Sequence, residues 1–194
     1  MKIVGLTGGI GSGKSSVMSV FSSFGVPCYD SDRRAKKLMQ QDPELISQIK
    51  ALFGYDIFKG KKLNRSKLAE IVFNDKSKLE SLNSIVHPKV KEDFQLFFNQ
   101  QKANYVIKEV AILFETGGEM DCDATILVTA PNELRTERVI KRGETNLENI
   151  KLRMLHQWTD EKKIPMADYV INNINWEKTL KKVQEIHHKL LNIN

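Results

Sequence analysis

Cysteine is nearly missing from this chain: Cys28 and Cys122 are the two among 194 residues. They stand at neither a metal-ligand nor a redox spacing, which excludes a disulfide scaffold, a zinc module and a Cys-x-x-Cys oxidoreductase. Each has apolar or strand-like neighbours and is expected as a buried free thiol. Long apolar runs are missing too. No stretch approaches the roughly 20 residues that cross a bilayer, so no membrane partner is expected. There are no repeats, low-complexity tracts or linkers, which excludes solenoids and strings of domains. Met1-Lys2-Ile3-Val4-Gly5 runs straight into a strand signal, so a cytoplasmic protein without a leader is expected.

What is present suits one globular domain with room for a small subdomain. Hydrophobic residues make up 41% and charged residues 28%, enough for a core without staples. Lys and Arg outnumber Asp and Glu by 30 to 24, a net charge of +6. That surplus serves solubility or an anionic partner: nucleotide, polyphosphate or nucleic acid. Charge alone does not choose among them.

Strand and helix signals alternate from end to end. Ile3–Leu6 reads as a strand, and Val17, Val20, Phe21 and Phe24 then fall at helical spacing, with Gly25 as the stop. Val26–Tyr29 reads as a second strand. Asp42-Pro43 starts a helix that Gly54 ends, and 59–62 reads as a loop. Helices are expected over 65–73, 76–86 and 88–101. Further strands are expected at Tyr105–Val110, Thr125–Thr129 and Tyr169–Ile171, and helices at 131–142 and about 147–157, the latter from a Thr145/Glu148 capping box. A last helix carries Trp176, Leu180, Val183, His187 and Leu190 on one face, and both Trp158 and Trp176 are expected to pack. Strands separated by helices imply an α/β fold on a parallel sheet, with residues of about 43–101 inserted between strands two and three.

Gly8-Gly9-Ile10-Gly11-Ser12-Gly13-Lys14-Ser15 matches G-x-x-x-x-G-K-[ST] at every fixed position, between a strand and an amphipathic helix. Backbone N–H groups must wrap the phosphates, so glycine removes side chains and permits positive φ. The helix N-terminus adds roughly half a positive charge. Lys14 suits the β- and γ-phosphates, and the Ser15 hydroxyl suits Mg²⁺. A dinucleotide fingerprint fails here, because Lys14 stands where its third glycine belongs. ATP with Mg²⁺ is the expected pair.

Asp30-Ser31-Asp32 follows the second strand, at the sheet edge where the loop after strand one also lies. Residues i and i+2 of an extended segment point the same way. One carboxylate then accepts the proton of a substrate hydroxyl and the other holds a metal-bound water, or Asp32 simply caps the next helix. Arg135, Arg138 and Arg142 share a helical face and Arg153 follows. They form either a charge-stabilising lid over about 135–157 or a solvated basic face balanced by Glu133 and Glu137.

Together these residues resemble the dephospho-CoA kinases. The likeness rests on Leu6-Thr7 leading into the loop, Asp30-Ser31-Asp32, Leu63-Asn64-Arg65, Ile71-Val72-Phe73, Leu82 to His87-Pro88, Leu113-Phe114-Glu115, Arg138 to Arg142, Gln157 and Ala167 to Ile171. Glu109-Val110-Ala111 departs from the family's Asp-x-Pro, Asn172-Asn173 from its Asp-Asn, and Ser16 from a commoner Thr. The resemblance implies a three-layer P-loop core with a helical acceptor-binding insertion and a helical lid. It implies transfer of the ATP γ-phosphate to the ribose 3′-hydroxyl of dephospho-CoA. By match to the motifs, Asp32 is the base, Lys14 bridges the phosphates and Arg142 stabilises the transferring group. Gly8, Gly9, Gly11, Ser12, Gly13, Ser15 and Ser16 hold nucleotide, with Ser15 on the metal. Asp30, Asp32, Arg65, His87 and Glu115 serve the acceptor.

Three rivals share parts of this pattern. A nucleoside or nucleotide kinase differs only in its acceptor. A switch GTPase wants Asn-Lys-x-Asp, which the chain lacks. A nucleic-acid-dependent ATPase would be stimulated by DNA or RNA. The expected partners are ATP and dephospho-CoA and not nucleic acid, with the chain as a monomer or small homo-oligomer.

Overall fold

The computed structural model describes residues 1–143, 154 and 157–192. The helix expected at 147–157, its capping box, Arg153 and much of the expected lid fall outside them. The chain divides into two compact units, Met1–Asp30 with Gln101–Asn194, and Ser31–Gln100.

The first unit is built on a five-stranded sheet. Its strands are β1 (Lys2–Gly8), β2 (Cys28–Asp30), β5 (Tyr105–Glu109), β6 (Ala124–Thr129) and β7 (Tyr169–Asn172), in the order β2-β5-β1-β6-β7. Every pairing is parallel. Alternate residues of these strands, Val4 and Leu6, Tyr105 and Ile107, Ile126 and Val128, and Ile171, share a core with Val17 and Phe21 of α1 (Lys14–Ser23) and Val183, Ile186 and Leu190 of α8 (Trp176–Leu191). On the opposite face Gly5 leaves room for Leu113: a Cβ on Gly5 would lie 2.7 Å from a Leu113 methyl. Three further helices lie in the chain order of the two units as α2 (Ser31–Gln41), α3 (Pro43–Phe53) and α4 (Arg65–Asn74). They are followed by α5 (Lys76–Asn99), α6 (Asn132–Lys141) and the short α7 (Asp160–Lys163).

The last helix shows how polar residues disguise a buried face. Its inward stripe is Thr179, Val183, Ile186 and Leu190. Trp176 and Leu180 are 44% and 37% exposed, and Ile186 rather than His187 points into the core. This corrects the face expected from Trp176, Leu180 and His187, and Trp176 does not pack inside. Thr179 enters the core because its hydroxyl is satisfied, its one proton shared between Asn173 Oδ1 at 3.1 Å and the Asn175 carbonyl at 3.0 Å.

The second unit contains α2 to α5 around Leu45, Ile49, Ile57, Leu68, Val72, Leu82 and Val86. Two expectations are corrected. The segment read as a loop forms a small antiparallel hairpin, β3 (Phe58–Lys59) and β4 (Lys62–Leu63), with Gly60 at φ +60° in its turn. Phe58 and Leu63 are buried and the lysines exposed; two-residue strands carry too little alternation to be seen in sequence. And α5 runs unbroken through Pro88, where two helices were expected. Proline costs a helix interior about 3 kcal/mol. The apolar stripe Leu82, Val86, Val90 and Phe94 crosses it in register and offsets that cost.

Candidate active site

The parallel sheet gathers its strand ends at one edge, and β1 delivers Gly8 there, next to α1. Gly11 and Gly13 adopt φ of +78° and +98°, the left-handed region that glycine enters at little cost. Their lack of Cβ also serves the rear of the loop. A Cβ on Gly11 would run into the Arg135 backbone, and one on Gly13 into the Asn173 amide. Gly9 leaves the space that the Arg135 guanidinium fills. The loop is therefore pressed against its support as well as opened toward phosphate.

That support consists of side chains far away in sequence. Arg135 Nε donates to the Ile10 carbonyl at 2.8 Å, and Arg138 Nη1 to the Ser12 carbonyl at 3.4 Å. Asn173 Nδ2 donates to the same Ser12 carbonyl at 2.8 Å, while Arg138 Nη2 holds the Asn173 carbonyl at 2.9 Å. Gln157 Oε1 accepts from the Ile10 N–H at 2.9 Å. Burial lowers the Arg135 pKa, against the opposing pull of Asp160 and Glu161. The arginine face therefore splits: Arg135 is buried and Arg138 half-buried behind the loop, while Arg142 is exposed at the C-terminal cap of α6. Glu137, expected to balance that face, pairs most closely with Lys141 at 2.6 Å and also feels the Arg138 charge.

Lys14 opens α1. Its ammonium donates to the Gly8 carbonyl at 2.9 Å and lies 3.8 Å from the carboxylate of Glu109, the buried last residue of β5. Strand register aligns Leu6, Glu109 and Asp30 side by side across β1, β5 and β2. Ser15 and Ser16 are exposed in the first turn of α1, and Ser12 is fully buried. Glu109 was visible in the sequence only as a departure from a family pattern; the order of the strands makes it a neighbour of Lys14.

Glu115 accepts from the Trp158 N–H at 2.9 Å and lies 3.8 Å from Lys163, which also stands 3.9 Å from Asp160. Desolvation lowers the Lys163 pKa in spite of both carboxylates. Trp158 carries the Lys162 ammonium 3.3 Å above its ring. Cys28 and Cys122 are free, half-buried thiols, both pushed up to about 11 by burial.

Asp32, Arg65 and His87 belong to the second unit. α2 begins at Ser31, so Asp32 lies exposed in its first turn rather than at the cap. Arg65 donates to the Lys36 carbonyl at 3.2 Å and lines a cavity of about 730 Å³ with Gln40, Lys59, Lys62, Leu63 and Asn64. That lining is cationic and apolar, apt for an anion joined to an organic body. His87 is exposed on α5, yet enough protein surrounds its ring to lower its pKa from 6.5 by desolvation. Among the described residues no three His, Cys, Asp or Glu side chains converge as a metal site, and no helix is long and apolar enough to cross a membrane.

A parallel sheet, a phosphate loop opening a helix, and a lysine beside a strand-end carboxylate define a P-loop kinase of the α/β three-layer class. The family model described as dephospho-CoA kinase matches residues 2–178, and the chain belongs to that family. A dephospho-CoA kinase from Chlorobaculum tepidum is 39% identical over 203 residues, covering 98% of this chain and 96% of the relative. Among solved structures, TT1252 from Thermus thermophilus aligns with a TM-score of 0.89 at 32% identity, covering 97% of this chain and 96% of its own. A dephospho-CoA kinase from Campylobacter jejuni aligns at 0.68 and 27% identity over the same shares.

Proposed function

We propose that the protein transfers the γ-phosphate of ATP to the ribose 3′-hydroxyl of dephospho-CoA, giving CoA and ADP, the last step of CoA synthesis. The observation that carries this is the complete phosphate loop, with Lys14 poised at its mouth, in a chain of this family.

In this reading the N–H groups of Gly8 to Ser16 and the dipole of α1 hold the triphosphate, and Lys14 bridges its β- and γ-phosphates. Asp32 takes the proton as the acceptor oxygen attacks γ-phosphorus; the bond to the β–γ bridging oxygen breaks and ADP leaves. Arg142 stabilises the charge on the transferring group. Arg65, His87 and Glu115 contact the acceptor or the residues that hold it. The donor set suits Mg²⁺: the Ser15 hydroxyl and the hard carboxylate oxygens of Asp30 and Glu109, which strand register sets side by side, would hold it. Mg²⁺ held there would supply charge neutralisation at the phosphates. The helical residues 43–101 act as the acceptor region, and the lid is that part of about 135–157 which leaves out Arg135, Arg138 and Gln157, since these hold the phosphate loop.

The test is to incubate the protein with Mg-ATP and dephospho-CoA and follow the acceptor by mass, with adenosine and AMP alongside. A gain of one phosphate on dephospho-CoA alone is expected. Phosphorylation of a rival acceptor instead would keep the loop's role and discard the acceptor.

A further inference from the structure

Ile10, at the crown of the phosphate loop, is gripped by side chains on both sides of its backbone. Its N–H donates to Gln157 Oε1 at 2.9 Å, and its carbonyl accepts from Arg135 Nε at 2.8 Å. The Gln157 amide is engaged at its other end as well, donating through Nε2 to the Ala111 carbonyl at 3.1 Å. It thus ties the loop to the chain two residues beyond Glu109. Arg135 is itself fixed, bonded to Asn132 Oδ1 at 3.2 Å and lying 3.8 Å from Asp160.

A flat amide of this length suits the task. It offers an acceptor and a donor in one plane, whereas an ionised carboxylate accepts only, and a thioether accepts weakly and donates nothing. Phosphate recognition depends on loop N–H groups aimed at one point, and that aim fails when the crown shifts.

We infer that Gln157 is a positioning residue for ATP, acting through Ile10 on the shape of the phosphate loop. The inference rests on the proposed function of that loop. Gln157 touches no reacting atom; it fixes where the loop amides point.

The test is to titrate Mg-ATP, without acceptor, into the wild type and Gln157→Met, and to measure KM for both substrates. We expect ATP affinity to fall by about tenfold to a hundredfold, the worth of one or two buried hydrogen bonds. The KM for dephospho-CoA should stay within about twofold, a split that a merely structural role would not produce. Unchanged ATP affinity in the variant overturns the inference, whatever its melting temperature. A wild type that does not bind Mg-ATP overturns the functional reading instead. Where Gln157→Met fails to fold, Gln157→Asn keeps both groups but shortens their reach, and the same loss is expected. Independently, the Ile10 amide of the wild type should be protected from hydrogen exchange; rapid exchange there overturns the clamp.

Discussion

The Lys14 ammonium lies 3.8 Å from the carboxylate of Glu109, at the end of the strand beside the one that launches the phosphate loop. Both side chains are largely buried, so each carries weight that a surface pair would not. Lys14→Ala should cut kcat/KM for ATP by about 10²–10³, the usual worth of one such electrostatic group, read as ADP release. Glu109→Gln separates two effects. Removing a negative charge beside the triphosphate should tighten metal-free ATP binding a few-fold, while turnover with Mg²⁺ falls by about tenfold. Tighter binding together with undiminished turnover would remove Glu109 from the reaction.

Asp32 lies in the first turn of α2, two residues beyond Asp30 at the end of β2. As the base it should tolerate Asp32→Asn in ATP binding but not in turnover, which should fall by about 10²–10⁴. Calorimetry with Mg-ATP and steady-state rates measure the two separately. Near-normal kcat in this variant would assign the proton elsewhere.

How much of this was legible depends on how far apart the cooperating residues lie. The phosphate loop is contiguous and its chemistry fixes glycine, lysine and serine at set positions, so residues 8–15 announce it. Its supports do not. Arg135, Gln157 and Asn173 are 125, 147 and 161 positions from their loop partners, and no period links them. The alignment of Asp30 with Glu109 likewise depends on β5 entering between β1 and β2, a matter of strand order. The arginine spacing was visible as a face. Two of its members turn to backbone carbonyls of the loop, Arg135 into the space that glycine at 9 leaves, and Arg138 beside Gly13.

Alkaline pH should weaken the fold through its thiols. Burial raises Cys28 and Cys122 from 9.0 to about 11, so the native state keeps protons that the unfolded chain sheds. This contribution to stability is present below pH 9 and is lost as pH rises from 9 through 11. Tyr105, also raised by burial with the Cys28 charge adding to it, has the same sign. Denaturant midpoints should therefore fall as pH rises from 9 toward 11, and less so in Cys28→Ala. At pH 8 each thiolate should be about a hundredfold scarcer than in an unperturbed thiol, slowing alkylation accordingly.

The last helix offers a test of packing free of catalysis. Ile186 is 1% exposed in the sheet core, whereas Trp176, the larger side chain, is 44% exposed. Area removed from water on folding, and the cavity left by truncation, set the cost of a substitution. Ile186→Ala should therefore lower unfolding free energy by about 2–5 kcal/mol. Trp176→Ala should stay within about 0.5 kcal/mol of the wild type. Side-chain size alone would predict the reverse order. Urea unfolding of the two variants discriminates: a larger loss from Trp176→Ala would place that ring in a contact which its exposure denies, while the expected order would fix Thr179, Val183, Ile186 and Leu190 as the inward stripe.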